Sequence, residues 1–212
     1  MVNFLLLLEN IVHYSKNDID KGNTPLIIYK ICSSLREAFC LSYAIRKENN
    51  FYLYFQNEHL LIKFEGKTLR FLGPDERSQA LLLNKALNKI YENFNSINNS
   101  WIESTPGIYV KTFSNTLEFI EYFNSLSYGK NYLILQNSQE PCKSINLDKN
   151  FESIKESDFF IIPTYKIQNS NNNMLEILKQ IKSIEILTLS MIESIEDKIL
   201  YINFRKDQQS IS

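Results

Sequence analysis

The segment IKFEGKTLRFLGPDERSQA, residues 62–80, carries the most specific structural signals in this chain of 212 residues. It begins with branched and aromatic residues that favour a strand, and it holds two of the chain's five glycines. Gly73 is followed by Pro74, and proline suits the first turn of a helix because it lacks an amide hydrogen. Asp75 and Glu76 come next, where carboxylates interact favourably with the helix dipole. The segment therefore predicts a strand, a glycine-containing turn and the start of a helix.

The rest of the chain alternates between strand-like and helix-like segments, which is typical of an α/β sheet with crossover helices. Short runs of aromatic and branched residues predict strands at Phe4–Leu8, Phe51–Phe55, Leu60–Glu65, Ile108–Val110, Tyr132–Leu135, Phe159–Ile162 and Ile184–Leu189. Apolar residues at helical spacing predict helices from Thr24, as N-cap, to near Arg46, from Gly73 through Phe94, over Ser114–Leu126 and over Met174–Ile181.

Two polar stretches are predicted to be loops, Ser15–Thr24 and Asn95–Ser104. The second contains Trp101, the only tryptophan of the chain. Its ring is either an anchor that packs under the loop or part of a lid or partner contact.

The last segment has Ser190 and Glu193 at the spacing of a capping box. Isoleucines then recur at three- and four-residue steps as far as Ile202. This pattern predicts a terminal amphipathic helix, with a strand over Lys198–Phe204 as the alternative. The isoleucine stripe fits packing against the core as well as packing against a second copy of the chain.

The composition predicts one globular domain over residues 1–212, because 44% of the residues are apolar and the length suffices for one core. The longest early apolar run, Phe4–Leu8, is too short to cross a bilayer and is followed by Glu9, so no membrane segment is expected. The three cysteines form an odd set without Cys-x-x-Cys spacing, which fits a reducing cytoplasm. His13 and His59 are isolated, so no metal site is expected.

The formal net charge of −1 gives no overall attraction for nucleic acid, so any RNA contact must be a local patch. Lysines and arginines cluster between Arg46 and Arg77, with several carboxylates among them. This cluster is either such a patch or an ordinary mixed surface.

Four blocks of sequence closely resemble one family, the archaeal tRNA pseudouridine N1-methyltransferases, which act on position 54 and belong to the knotted SPOUT methyltransferases. The blocks are Ser34–Arg46, Phe64-Glu65-Gly66, Leu72–Ser78 and Pro106–Val110. The resemblance implies a SPOUT-like α/β domain with a mostly parallel sheet, flanking helices and a C-terminal knot. It also implies S-adenosylmethionine as cofactor, pseudouridine in the T-loop of tRNA as methyl acceptor, and a homodimer formed through the C-terminal helices.

Methyl transfer to a ring nitrogen requires the donor and acceptor to be held in line, and the imide nitrogen must lose its proton. Asp75 and Glu76 are the candidate catalytic residues for that proton, with Arg77 as a phosphate or base contact and Ser78 as a supporting donor. By resemblance, Arg46 also lies on the RNA-facing side. The alternative is that residues 75–78 only start a helix well.

The cofactor positions carried over from the family are Leu135, Pro163, Thr188, Leu189, Ser190 and Ile199. Several depart from its pattern, since Pro163 begins what is usually a Gly-Asp-His turn and Ser190 replaces a glycine. Glycine lets the backbone approach a ligand closely, whereas proline removes an amide donor. Two hypotheses follow: an S-adenosylmethionine-dependent methyltransferase, or a cofactor-free homologue that binds RNA or a protein without catalysis.

Overall fold

A computed structural model describes residues 2–93, 100–135, 145–146, 154–165, 178–189 and 192–209, with the backbone alone at 91–93 and 145–146. The strands are β1 (Asn3–Leu8), β2 (Asn50–Phe55), β3 (Leu60–Glu65), β4 (Ile102–Thr105), β5 (Ile108–Thr112), β6 (Asn131–Leu135), β7 (Ile145–Asn146), β8 (Phe159–Pro163) and β9 (Ile184–Thr188). The helices are α1 (Lys16–Asp20), α2 (Leu26–Phe39), α3 (Glu76–Asn93), α4 (Thr116–Leu126) and α5 (Ile195–Gln209).

Within these residues the strands form one sheet in the order β4-β5-β3-β2-β1-β8-β6-β9-β7. Parallel pairings join β2, β1, β8, β6, β9 and β7. Antiparallel pairings add β3, β5 and β4 at one edge. The sheet is therefore mostly parallel, and the predicted α/β class is confirmed.

The central strand β1 is buried along its whole length, as expected for a parallel strand covered on both faces. Phe4, Leu6 and Leu8 belong to the larger core cluster, which includes residues of α2, α3 and α5. Leu5 and Leu7 belong to a second cluster that includes residues of α4. Helices thus cover both faces of the sheet.

The predicted strands and the helices α3 and α4 are confirmed, but α2 ends earlier than predicted. It stops at Phe39 instead of continuing to Arg46, and Thr24 lies outside the helix because the N-cap is Pro25. The Leu41 amide donates to the Ala44 carbonyl at 2.8 Å, and the Arg46 amide returns to the Phe39 carbonyl at 2.7 Å. These bonds turn the chain back on itself and end the helix.

Both predicted loops contain regular structure in their described parts. Ser15 and Asp18 form a capping box that starts the short helix α1. Strand β4 forms in the second stretch because it pairs with β5. Trp101 is an anchor, since its indole nitrogen donates to the Tyr122 hydroxyl at 3.2 Å and its ring packs edge-on against Tyr109.

The predicted C-terminal helix is confirmed as α5, so the alternative strand over Lys198–Phe204 is wrong. The helix begins at Ile195, so the predicted capping box of Ser190 and Glu193 is wrong, because Glu193 precedes the helix. The Ser194 hydroxyl caps it instead by accepting from the Asp197 amide at 3.1 Å. Ser190, Phe94 and residues 174–177 of the predicted helix Met174–Ile181 lie outside the described residues. No helix in the described ranges is long and apolar enough to cross a membrane.

Candidate active site

The turn before α3 is built around the exposed carboxylate of Asp75. The Ser78 amide donates to Asp75 Oδ1 at 2.8 Å, and the Ser78 hydroxyl donates to the Asp75 carbonyl at 3.0 Å. A Cβ atom on Gly73 would lie 2.6 Å from Asp75 Oδ2 and 2.7 Å from Ser78 Oγ, so a larger residue there would displace these two side chains. Hydrogen bonds from Ser78, chiefly from its amide, lower the pKa of Asp75. The carboxylate is therefore ionised and oriented, but it is a weak general base.

Glu76 and Arg77 begin α3 directly after this turn. Arg77 Nη2 lies 2.9 Å from Asp20 Oδ1, with both side chains about half exposed, so it ties α3 to the end of α1. An exposed ion pair contributes only about 0–1 kcal/mol, so a phosphate can replace Asp20 at small cost. The geometry brings Asp75, Glu76, Arg77 and Ser78 together at one helix start.

Arg46 lies in a neighbouring loop, where it makes a bidentate pair with Asp207 of α5. Its two terminal nitrogens contact the two carboxylate oxygens, each at 2.7 Å. Beside this pair, the Asn49 side chain donates to the Ala38 carbonyl at 2.8 Å and to Asn203 Oδ1 at 3.0 Å. Arg46 therefore fixes the end of α5 against the loop that follows α2.

Gly66 connects this loop to the segment 62–80. Its amide donates to the Asn49 carbonyl at 3.0 Å. A Cβ atom on Gly66 would lie 2.5 Å from that oxygen and 2.6 Å from the Arg46 carbonyl oxygen. Farther along, Cys40 Sγ lies 3.9 Å from the Gly73 carbonyl oxygen. The loop after α2 and the turn before α3 thus form one continuous surface.

The positions expected to hold a cofactor converge at the carboxyl ends of β8, β6 and β9. Leu135 pairs with Thr188, and the register of β6 with β8 brings Pro163 to the same level. Since side chains alternate along strands, these three share one face of the sheet. Leu189 and Ile199 belong to the core cluster of the opposite face. Ligands of parallel α/β sheets bind beyond this kind of edge.

Main-chain donors are scarce in the turn that follows β8. Pro163 has no amide hydrogen. The Thr164 amide and hydroxyl each donate to the Leu7 carbonyl at 3.0 Å, so neither is free for a ligand. A cofactor at this edge must therefore obtain its polar contacts from other residues.

Lys198, in the first turn of α5, is a candidate for one such contact. Only 2% of the residue is exposed, and no hydrogen bond or ion pair of its ammonium is found among the described residues. Burial lowers the pKa of Lys198, and the charge of Glu193 opposes that shift. A cation on a largely buried lysine is stabilised by a nearby carboxylate, which offsets the cost of its desolvation. The methionine carboxylate of S-adenosylmethionine is such a group, so the residues fit this cofactor.

No group of His, Cys, Asp and Glu side chains suited to hold a metal ion occurs in the parts of the chain that the structure describes. The charged groups considered for the site are instead the Lys198 ammonium and the Asp75 carboxylate, which the Ser78 amide orients.

A protein-family model described as "Putative SAM-dependent RNA methyltransferase" matches residues 26–150, more than half of the chain. The chain belongs to this family. The match covers the helix α2, the segment 62–80 and the strand β6, and so it includes both the Asp75 turn and Leu135. The family resemblance of the sequence is thereby confirmed.

Curated relatives of this methyltransferase family carry a more specific name. The tRNA (pseudouridine(54)-N(1))-methyltransferase of Methanocaldococcus jannaschii is 36% identical over 121 residues, which are 56% of this chain and 58% of that protein. The protein of the same name from Haloferax volcanii is 38% identical over 107 residues, 50% of this chain and 51% of its own. The chain thus spans about half the length of the curated relatives it matches.

A solved structure extends the likeness of fold across the whole chain. Archaeoglobus fulgidus Nep1, crystallised with S-adenosylhomocysteine, superposes with a TM-score of 0.53 and covers 100% of this chain and 99% of its own. Only 10% of the aligned residues are identical, so the comparison shows the α/β fold alone.

Sequence reasoning missed two residues of the site, Lys198 and Asp207. Lys198 had a signal, because it lies at helical spacing from Ile195 and Ile202 and so belongs to the same buried stripe. Asp207 had none, since its partner Arg46 is 161 positions away in sequence.

Proposed function

We propose that the chain is an S-adenosylmethionine-dependent methyltransferase that modifies N1 of pseudouridine in the T-loop of tRNA. The observation that carries this proposal is the edge formed by Leu135, Pro163 and Thr188 in a chain of a methyltransferase family. The names of the archaeal relatives supply the acceptor and the position modified.

When bound, S-adenosylmethionine supplies an electrophilic methyl group. In this proposal Lys198 binds its carboxylate, and the Thr188 hydroxyl and the main chain of Leu189 add polar contacts. Leu135 and Pro163 contribute apolar surface, and buried Ile199 supports the edge from the core. Apolar walls exclude water and so strengthen the electrostatic contacts that orient the reactants.

On the acceptor side, Asp75 orients the imide nitrogen or the water that removes its proton. Its lowered pKa suits it better to accept a hydrogen bond than to remove a proton alone. Glu76, next in the chain, is the second carboxylate available for the proton. Arg77 binds an RNA phosphate in place of Asp20, and Ser78 holds the Asp75 carboxylate in position.

Arg46 has a positioning role in this proposal. Its bidentate pair with Asp207 holds the loop after α2, and this loop packs against Gly66 close to the acceptor turn. Arg46 thereby shapes the RNA-facing surface even though its guanidinium is paired.

The cofactor-free homologue is the second candidate function, and one observation favours it. Pro163 offers no amide, and both donors of Thr164 are bonded to the Leu7 carbonyl. Titration calorimetry with S-adenosylhomocysteine separates the two hypotheses. The enzyme hypothesis predicts saturable binding near one site per chain, whereas no heat of binding at millimolar ligand would leave the cofactor-free homologue.

We further propose that the chain is a single domain and works as a homodimer in the cytoplasm. On α5, Leu200 and Phe204 are about half exposed while the neighbouring Ile199 and Ile202 are buried. An exposed apolar pair on the terminal helix suits contact with a second copy. Light scattering coupled to gel filtration tests the dimer, and a monomer at micromolar concentration would contradict it.

We also propose that the C-terminal part forms the knot of SPOUT proteins. The end of α5 is held against the segment that precedes β8, since the Ile154 amide donates to Gln209 Oε1 at 2.9 Å. Lys206 Nζ donates to the Ile154 carbonyl at 3.1 Å. Such contacts would hold a threaded C-terminus in place. An experimental structure of the whole chain tests the knot directly.

A further inference from the structure

Two aromatic rings stand on the surface beside the acceptor turn. Tyr43 is fully exposed, and Phe71 is 75% exposed. Tyr43 lies in the loop after α2 and Phe71 lies two residues before Gly73. The contact between Cys40 Sγ and the Gly73 carbonyl joins these two segments. The rings therefore belong to the same region of the surface, next to Asp75.

The backbone of Phe71 is strained, and packing of its side chain does not offset this strain. Its φ angle is 66°, in the left-handed region that bulky residues rarely adopt. Such strain persists where the surrounding structure enforces it, and it clusters at binding sites. Burial of the ring gives no compensation, because three quarters of Phe71 is exposed. Glycine would adopt this conformation without strain, so a phenylalanine here that packs against little of the chain points to a contact with another molecule.

Tyr43 is presented by a tight turn rather than by a loose loop. The Leu41 amide donates to the Ala44 carbonyl at 2.8 Å, and Cys40 and Ile45 pair as an isolated bridge. The turn thus holds the ring at its tip, away from the core.

Exposed cations lie beside these rings, together with the exposed carboxylates of Glu48 and Asp75. Lys47 and Arg70 flank the two segments, and both are exposed. Neither makes an ion pair within the described residues. Exposed cations of this kind bind phosphates, and their contribution falls as salt rises.

We propose that Tyr43 and Phe71 form a stacking surface for unpaired bases of an RNA loop. RNA is recognised mainly in single-stranded loops, whose splayed bases stack on aromatic side chains. This inference rests on the proposed function, because it places the bases of the acceptor loop beside Asp75. It adds the residues that bind those bases and predicts a preference for loops over paired RNA.

The test measures the dissociation constant of a labelled RNA hairpin with pseudouridine in its loop, without methyl donor. Phe71→Gly and Tyr43→Ala are each expected to weaken binding about tenfold, the effect of losing one stacked base. Phe71→Trp should keep the affinity. Tyr128→Ala is the matched control, because Tyr128 is also highly exposed but follows α4. Binding of the same RNA annealed to its complement should be equal for all variants.

Thermal unfolding of Phe71→Gly separates stacking from a structural role. Relief of the left-handed strain is expected to leave the variant at least as stable as the natural chain. A clear loss of stability with unchanged hairpin affinity would overturn the inference and assign the ring to folding. Unchanged affinity with unchanged stability would also overturn it, leaving the surface to a protein partner.

The same titration distinguishes this inference from the proposed function. A natural chain that binds the hairpin, with variants that bind equally well, refutes the stacking surface alone. A natural chain that binds no hairpin refutes both the stacking surface and the proposed RNA substrate. Cofactor binding is tested separately by titration calorimetry with S-adenosylhomocysteine, which needs no RNA.

Discussion

The substitution Lys198→Met is expected to make the protein more stable and to weaken cofactor binding. Methionine has a similar length and no charge, so it fills the buried site without the cost of burying an ammonium. In the structure 2% of Lys198 is exposed, and Glu193 is the charge that acts on it. Replacing buried ion pairs by apolar groups of similar volume is often neutral or stabilises proteins by about 1–4 kcal/mol, and we expect a gain at the lower end of this range for a single lysine.

The loss of cofactor affinity follows from the same contact. A hydrogen bond to a charged group contributes about 1.5–3 kcal/mol, so the variant should bind S-adenosylhomocysteine about 10- to 100-fold more weakly. Urea unfolding measures the stability, and titration calorimetry measures the affinity. Lys85→Met is the control, because Lys85 is an exposed lysine of α3 and should change neither quantity.

The pH dependence of stability gives an independent check on Lys198. Its pKa is lower in the folded chain than the ordinary value of 10.5, so the unfolded chain binds more protons between the two pKa values. Stability should therefore rise with pH in that window, and Lys198→Met should remove this rise. A variant that is less stable, binds the cofactor normally and keeps the pH dependence would refute the role of Lys198.

The remaining predictions concern the turn before α3, which is proposed to contact the methyl acceptor, and the loop after α2 beside it. Gly66→Ala should lower the free energy of unfolding by about 1–3 kcal/mol, because the new Cβ meets two carbonyl oxygens; unchanged stability in urea would contradict the tight packing. Asp207→Asn should cost about 1 kcal/mol and remove part of the salt dependence of unfolding, since it breaks the pair with Arg46. Asp75→Asn should keep the helix cap and the melting temperature but abolish methylation of a pseudouridine hairpin; retained activity would limit Asp75 to capping.

The core strands were predictable because a strand that is buried on both faces consists almost entirely of apolar residues. Strands β1 and β8 are covered on both sides and appear as uninterrupted apolar runs. The start of α3 was equally clear, because Gly73 and Pro74 restrict the backbone whatever the surroundings. The family resemblance rested on this same segment.

Features that depend on distant partners could not be predicted. The end of α2 is fixed when the Arg46 amide bonds to the Phe39 carbonyl, while the residues between them are all compatible with a helix. Strand β4 exists because β5 pairs with it. In the site, the convergence of Leu135 with Thr188 follows from the register of β6 and β9, which separate stretches of sequence do not reveal.

The strained ring of Phe71 belongs to the same class of missed features. Its sequence neighbours favour a turn, but neither the left-handed backbone nor the exposure of the ring can be inferred from composition. Exceptions to local sequence preferences occur most often at functional sites. Phe71 is such an exception, because a bulky residue adopts a positive φ angle there without a gain in packing.

Methyl transfer to a defined hairpin tests the central claim most directly. The purified chain is incubated with S-adenosylmethionine and an RNA hairpin that carries pseudouridine in its loop, and the nucleosides are then analysed by mass spectrometry. We predict N1-methylpseudouridine from this hairpin and no methylated product from a matched hairpin with uridine at that position. Absence of any methylated nucleoside, with a folded chain that binds the hairpin, would contradict the enzyme and support a cofactor-free RNA-binding homologue.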